Sequence, residues 1–495
     1  MSRNPKRSNT PTIVLLVLLI IVIIAATCVL IWMCIDLVNQ DVTPSTRENS
    51  TISLPTATVP EETETEPPET TLPDPEHVVS TATLGAMGDL LMHLPVVDTA
   101  RQSAGSYDFE SVFRYLTEYS SALDYAAVNL ETTLYGTGKA YSGFPMFNCP
   151  DAIVNGSWDA GFDLMLTANN HSYDTGINGY TRTLEVCHDV GFDTLGTMAS
   201  ADDPKYIVKE INGINIGMIC YTYETSNGTG SYPSLNGNPM YDGSYDLINC
   251  FVPTNPEPFY AEIEGYLSEM KDAGAEATMV FIHWGVEYQT AANDQQKAIA
   301  QRLCDLGVDV IVGGHPHVVQ PVDLLESTVD PDHKTVIIYS LGNAVSNQRS
   351  GYISTAPAGY TEDGAMFRVT FEKYSDGTVY LANADVLPTW VNMNTDNGKK
   401  EYNILPLDHD RLDEWREMFN LTDSTFSSAQ KSYDRTMDLV GEGVEECQTW
   451  LTQSKEAREQ YYYDLVYNPE KLATEATQAP TETVVEETTA ATDAA

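Results

Sequence analysis

From residue 78 onward the hydrophobic pattern alternates between two rhythms. Short apolar runs of strand length are followed by stretches with apolar positions three and four apart, as one face of a helix gives. Strands are predicted over 78–88, 125–130, 162–168, 277–283 and 308–312. Helices are predicted over 109–121, 152–160, 176–190, 256–273 and 294–306. Residues 206–221 read as a hairpin turning at Asn212-Gly213. After residue 320 the rhythm changes. Residues 322–325, 335–341, 365–373 and 378–387 read as strands joined by turns, and helical spacing returns over 411–463. This is an α/β core with an antiparallel extension and a helical end. Residues 225–252, rich in Gly, Asn, Ser and Tyr, form a long loop of the kind that often serves a site.

Both ends of the chain depart from this pattern. Residues 1–12 are basic through Arg3, Lys6 and Arg7, and residues 13–35 are apolar except for Thr27. That run is long enough to span a hydrocarbon core as a helix. It exceeds the apolar region of a cleaved signal, about 7–15 residues, and lacks a small-residue cleavage site. The reading is an uncleaved single-pass membrane anchor, basic side inside and all later residues outside. Residues 36–76, rich in Thr, Pro and Glu, read as a disordered tether. Residues 77–408 form the main domain, 409–470 a helical segment and 471–495 a disordered acidic tail.

The formal net charge is −45. It excludes nucleic acid as a partner, since a phosphate backbone would be repelled. Six cysteines outside the apolar run are scattered with no CxxC, which argues against a disulfide framework and a cysteine-ligated zinc site.

Candidate chemistry collects where predicted strands end. Met87-Gly88-Asp89 closes the first strand and Asn129-Leu130-Glu131 the second. Asn169-Asn170-His171, with Asp174 three on, closes the third, and His283-Trp284-Gly285 precedes Glu287. Gly313-Gly314-His315-Pro316-His317 follows the last strand of this core. In extended chain, His315 and His317 would point to one side. Ligands of open α/β sheets bind beyond the carboxyl ends of strands. Asp, Glu, Asn and His gathered there would make a metal-ligand cluster suited to Mn, Fe, Zn or Mg. Taken singly, each motif also has a plain reading: a turn, a solvated glutamate, a helix cap. Trp284 reads equally as core or as a substrate platform.

In order, these motifs and Tyr339-Ser340-Leu341-Gly342-Asn343 resemble the CapA family of capsule and poly-γ-glutamate synthesis proteins, over about residues 82–371. That family is similar to the calcineurin-like metallophosphatases. The resemblance implies a four-layer α/β/β/α sandwich holding one or two divalent ions, Mn, Fe or Zn foremost. It implies metal-ligand roles for Asp89, Glu131, Asn170, His283, His315 and His317. It places His171 as the acid that protonates the leaving group, oriented by Asp174. Asn129, Asn169, Trp284, Glu287 and Asn343 are the expected substrate contacts. Leu91 stands where the wider superfamily's Asp-x-His motif has its histidine, and His93, two residues on, is its candidate replacement. Lys139, Arg182 and Arg349 are candidates for neutralising a phosphate.

Two functions are consistent with this. One is a metal-dependent phosphoesterase outside the membrane. The other is a non-catalytic subunit beside a membrane-bound polymer synthase, with the surface polymer as its partner.

Overall fold

The computed structural model describes residues 75–225, 233–241, 243–396 and 398–472. The expected anchor at 13–35, nearly all of the tether and nearly all of the acidic tail lie outside the described residues. No helix among the described residues is long and apolar enough to cross a membrane.

The chain first lays down strands β1 (Val78–Leu90), β2 (Tyr125–Asn129), β3 (Leu164–Leu166) and β4 (Asp193–Leu195), parallel and in that order. Helices α1 (Leu94–Ala100), α2 (Glu110–Phe113), α3 (Thr117–Ser120), α4 (Ala152–Asp159) and α5 (Gly176–Val190) fill the crossovers. The single helix predicted over 109–121 is broken into α2 and α3. At the break, the Thr117 hydroxyl bonds back to the Phe113 carbonyl and competes with a continuous helical ladder.

A second sheet follows. The predicted hairpin is β5 (Tyr206–Ile211) and β6 (Ile214–Tyr223), with Asn212 and Gly213 both at positive φ. The long loop holds a small hairpin, β7 (Ser234–Leu235) and β8 (Asn238–Pro239), before β9 (Cys250–Phe251). Then come α6 (Glu257–Asp272), β10 (Ala277–His283), α7 (Asp294–Asp305), β11 (Val310–Gly314), β12 (Val319–Glu326) and β13 (Lys334–Leu341). The order is β12-β13-β11-β10-β6-β5, with β9 beside β6.

The chain then returns to the first sheet. β14 (Asn343–Val345) pairs with the end of β1, and β15 (Asp363–Tyr374), β16 (Val379–Asp396) and β17 (Lys399–Pro406) extend the other edge antiparallel. Strand β17 carries too many charged residues to be read from hydrophobicity; Gly398 at positive φ turns the chain into it.

One apolar core lies between the sheets, joining Ala82, Leu84 and Phe367 of the first to Met218, Phe281 and Ile338 of the second. A second core packs the outer face of the first sheet under α1, α2 and α4. A third packs the outer face of the second under α6 and α7. The arrangement is a mixed α/β fold of helices, sheet, sheet and helices. Residues 409–472 belong to the same compact unit as the two sheets. There α8 (Trp415–Met418) leads to the long α9 (Asp423–Tyr467). Residues Ser432, Thr436, Val440, Gly443, Cys447 and Leu451 make a narrow buried stripe along α9. At Gly443 the helix presses on edge strand β12, where any side chain would meet the Val322 carbonyl oxygen at 1.7 Å. All six described cysteines are free thiols.

Candidate metal centre

The carboxyl ends of β1, β2, β3, β10 and β11 converge where the two sheets meet. Gly88 shows why the first motif has glycine. A Cβ built there would lie 1.9 Å from the Gly342 carbonyl oxygen, and Asp89 N–H donates to that same oxygen at 3.0 Å. The backbone contact fixes Asp89 at the strand end, fully buried. Asn129 ends β2, and Glu131 follows two residues later. Past β3 the chain turns sharply through Asn169, Asn170 and His171, braced by Asn169 N–H donating to the Ser172 hydroxyl at 2.9 Å.

His315 and His317 reach the centre by a route the extended-chain reading does not give. Strand β11 ends at Gly314, and His315 and His317 sit at φ +99° and +56°. Left-handed backbone at a non-glycine residue costs on the order of 1–3 kcal/mol and collects at functional sites. The two imidazoles face the centre because the turn is left-handed, not because a strand alternates.

Two clusters place their donor atoms within 4.8 Å of one another: Glu131 with His315 and His317, and Asp89 with Glu131 and His283. Asp89 Oδ2 lies 3.1 Å from His317 Nδ1, and Asp89 Oδ1 accepts from Asn129 Nδ2 at 2.7 Å. Glu131 Oε1 is 3.5 Å from His283 Nε2 and 4.0 Å from His317 Nε2. Asn170 Oδ1 is 2.8 Å from His283 Nε2. His315 Nε2 is 3.1 Å from the Tyr223 hydroxyl.

A divalent cation fits this set. Both carboxylate oxygens of Glu131 and Nδ1 of His315 are buried with no hydrogen-bond partner. A buried polar atom left unpaired costs about 1–3 kcal/mol, more when charged. Burial, reinforced by the charge of Asp89, pushes the Glu131 carboxyl well above the usual range. Burial pushes Asp89 up too, but hydrogen bonding to His317, with His283 nearby, outweighs it and leaves Asp89 low. Burial holds His283 down to about 3 and His315 well below the ordinary imidazole value. Neutral imidazoles, carboxylates and a carboxamide are the donors of a borderline transition metal.

The other predicted residues divide. His171 Nδ1 is 2.7 Å from Asp174 Oδ2, with the Phe147 ring edge-on at 4.7 Å. Asn129 and Asn169 form a relay: Asn169 Nδ2 donates to Asn129 Oδ1 at 3.0 Å and to Leu130 O at 2.9 Å. The amide of Asn343 donates to the His317 carbonyl at 3.1 Å and to Thr361 O at 3.0 Å. These asparagines are buried, and their amide hydrogens brace the donor residues. Trp284 is core, 1 % exposed, its indole N–H on Tyr339 O at 2.9 Å. Glu287 is exposed, within electrostatic reach of Glu131.

His93 does not replace the missing ligand. It sits just past β1 as the residue before α1, and neither cluster includes it among the described residues. Its Nδ1 lies 3.3 Å from Asn347 N–H and its ring packs edge-on against Phe147. Leu91 is buried, its N–H on Val345 O. Arg182 and Arg349 are committed to Asp151 at 2.6 Å and Glu362 at 3.0 Å, and Lys139 is exposed over the Tyr135 ring.

Three residues near the centre were missed in the sequence. Tyr223 ends β6, a position that could have flagged it. Asn236 and Asn238 flank Gly237 in the hairpin of the long loop; Asn-Gly between short runs is the signature of such a turn.

Fold and centre together define a two-sheet α/β protein with a buried carboxylate–histidine cluster at converging strand ends. The bacterial capsule synthesis protein PGA_cap family matches residues 83–348, more than half of the chain, and the chain belongs to that family. It is 28% identical over 304 residues to the PGA biosynthesis protein CapA of Bacillus subtilis, covering 61% of this chain and 70% of that one. It is 27% identical over 335 residues to the capsule biosynthesis protein CapA of Bacillus anthracis, covering 67% and 71%. Among solved structures, NAD nucleotidase of Haemophilus influenzae aligns with 77% of this chain and 68% of its own, at 12% identity and a TM-score of 0.36.

Proposed function

We propose that this chain serves surface-polymer synthesis outside a bacterial membrane as a metallophosphatase-like, metal-dependent phosphoesterase, held there by residues 13–35. The observation that carries the proposal is the buried Glu131 carboxylate, with both oxygens unpartnered among three histidines.

Asp89, Glu131 and His283, with Asn170 beside His283, would hold one divalent ion, and Glu131, His315 and His317 a second. An ion bound there supplies Lewis acidity toward a phosphoryl oxygen and lowers the pKa of a nearby water. Asn129 and Asn343 keep Asp89 and His317 in place through amide hydrogen bonds. His171 would donate its Nδ1–H to Asp174 as a hydrogen bond and, with a second proton taken up on Nε2, would deliver that proton to the leaving oxygen as general acid. Arg182 and Arg349 being paired, the substrate's charge falls to the ion and to His171.

In the test, the full chain loaded with manganese is assayed on a panel of phosphomonoesters and phosphodiesters. Metal-dependent turnover is expected, with His171→Ala lowering kcat at least 100-fold while the bound metal is kept. No turnover on any ester, or equal turnover in His171→Ala, sinks the proposal.

One observation favours a second reading. Leu91, buried where a ligand would complete the Asp89 side, suits a subunit that binds metal and works beside membrane-bound polymer synthase subunits without hydrolysis. Polymer yield that survives His171→Ala but not loss of the chain would select that reading.

A further inference from the structure

The hairpin of β7 and β8 rises from the second sheet and meets the His171–Asp174 pair, which belongs to the first. Its two-residue turn is Asn236-Gly237, at φ +48° and +72°. The hairpin is seated by Leu235, fully buried in a cluster with Tyr173, Tyr180 and Met240. Gly237 N–H donates to the Thr225 hydroxyl at 2.8 Å, which fixes the tip.

From that tip, Asn236 Nδ2 lies 3.0 Å from Pro145 O, 3.5 Å from Asp174 Oδ1 and 3.2 Å from His171 Nδ1. A carboxamide nitrogen carries two hydrogens. At 2.7 Å from Asp174 Oδ2, an oxygen that only accepts, His171 Nδ1 carries its own proton and cannot accept one. The two Asn236 hydrogens are then left for the Pro145 carbonyl and Asp174 Oδ1. Asn238 Nδ2 also reaches Asp174 Oδ1, at 3.5 Å, and Phe147 N–H holds Oδ2 at 2.7 Å. The carboxylate is thus held on Oδ1 by the hairpin and on Oδ2 by Phe147 and His171. Turning it would break bonds on both oxygens.

We propose that Asn236, supported by Asn238, is a positioning residue that locks Asp174 and so keeps neutral His171 in the Nδ1–H tautomer, which leaves Nε2, facing the reacting oxygen, as the nitrogen that takes up and then delivers the proton. The catalytic consequence rests on the phosphoesterase reading; the tautomer does not.

The experiment uses the full chain, loaded with zinc and labelled with 15N-histidine, and reads the imidazole tautomers by long-range 15N–1H correlation, His171→Ala assigning the signal. The native chain should show His171 as Nδ1–H alone. Asn236→Ala should mix the two tautomers while the melting temperature stays within about 2 °C, because Leu235 still seats the hairpin. With manganese and bis(4-nitrophenyl) phosphate, Asn236→Ala should lower kcat roughly tenfold with KM unchanged. Asn238→Ala should do the same more weakly. The native tautomer pattern in Asn236→Ala overturns the proposal. If the native chain hydrolyses no phosphoester, the phosphoesterase reading fails, and the tautomer measurement still decides the role of Asn236.

Discussion

Glu131 combines full burial, a carboxyl pushed up by that burial, and two oxygens with no hydrogen-bond partner. Glu131→Gln removes the charge but keeps the shape. The metal-free variant should be about 1–3 kcal/mol more stable at pH 8 than the parent, and manganese should no longer raise its melting temperature. Thermal melts with and without chelator read both effects. The histidines set a pH dependence of their own. His283 is held down to about 3, against the ordinary value of 6.5. Below pH 6.5 the unfolded chain takes up a proton there that the folded, metal-free chain refuses. Stability should fall as pH drops from 6.5 toward 3, at up to about 1.4 kcal/mol per pH unit for this group. Urea titrations of metal-free protein at pH 7 and pH 5 test it, and His283→Gln should flatten the slope. The donor types were legible in the sequence because strand ends advertise them. The bracing roles of Asn129, Asn169 and Asn343 were not, because they depend on partners up to 40 residues away.

Elements were legible wherever a hydrophobic rhythm survived to the strand end. The hairpin at Asn212-Gly213 and strands β1, β10 and β13 follow the pattern closely. The rhythm failed where a side-chain hydroxyl competes at a helix break, as at Thr117, and where a strand opens on charged residues, as in β17. It also misassigned the cause at His315 and His317, since periodicity carries no sign of φ. The element-level constraint that bears on the centre is the contact of β1 with the turn before β14. Gly88→Ala forces a methyl group to within 1.9 Å of the Gly342 oxygen. It should destabilise the fold by at least about 3 kcal/mol, seen as a lower urea midpoint, and weaken metal binding by displacing Asp89.

At the scale of the molecule, the six cysteines among the described residues, buried or half-buried, are free thiols in a chain expected to lie outside the membrane. Stability then owes nothing to oxidation. Reductant should leave the melting temperature unchanged, while chelator should lower it by several degrees; the reverse result would locate the stabilising link in thiols. The layer order follows from composition: two faces of each sheet are apolar, so each needs a cover, and helices and the other sheet supply them. What the sequence could not disclose was how α9 fits, because its buried stripe of Ser, Thr, Gly and Cys has little apolar contrast.

The pairing of Asp89 with the Gly342 carbonyl joins positions about 250 residues apart. During synthesis, Asp89, Glu131 and Asn170 emerge long before His317 and the segment that seats Asp89. A growing chain therefore holds scattered donors and no centre. On the metal-centre proposal, ion capture would wait until nearly the whole two-sheet unit has left the ribosome and, for an exported chain, until folding on the far side. The ion loaded would then be the one available there, so destination, as much as donor chemistry, would set the occupant.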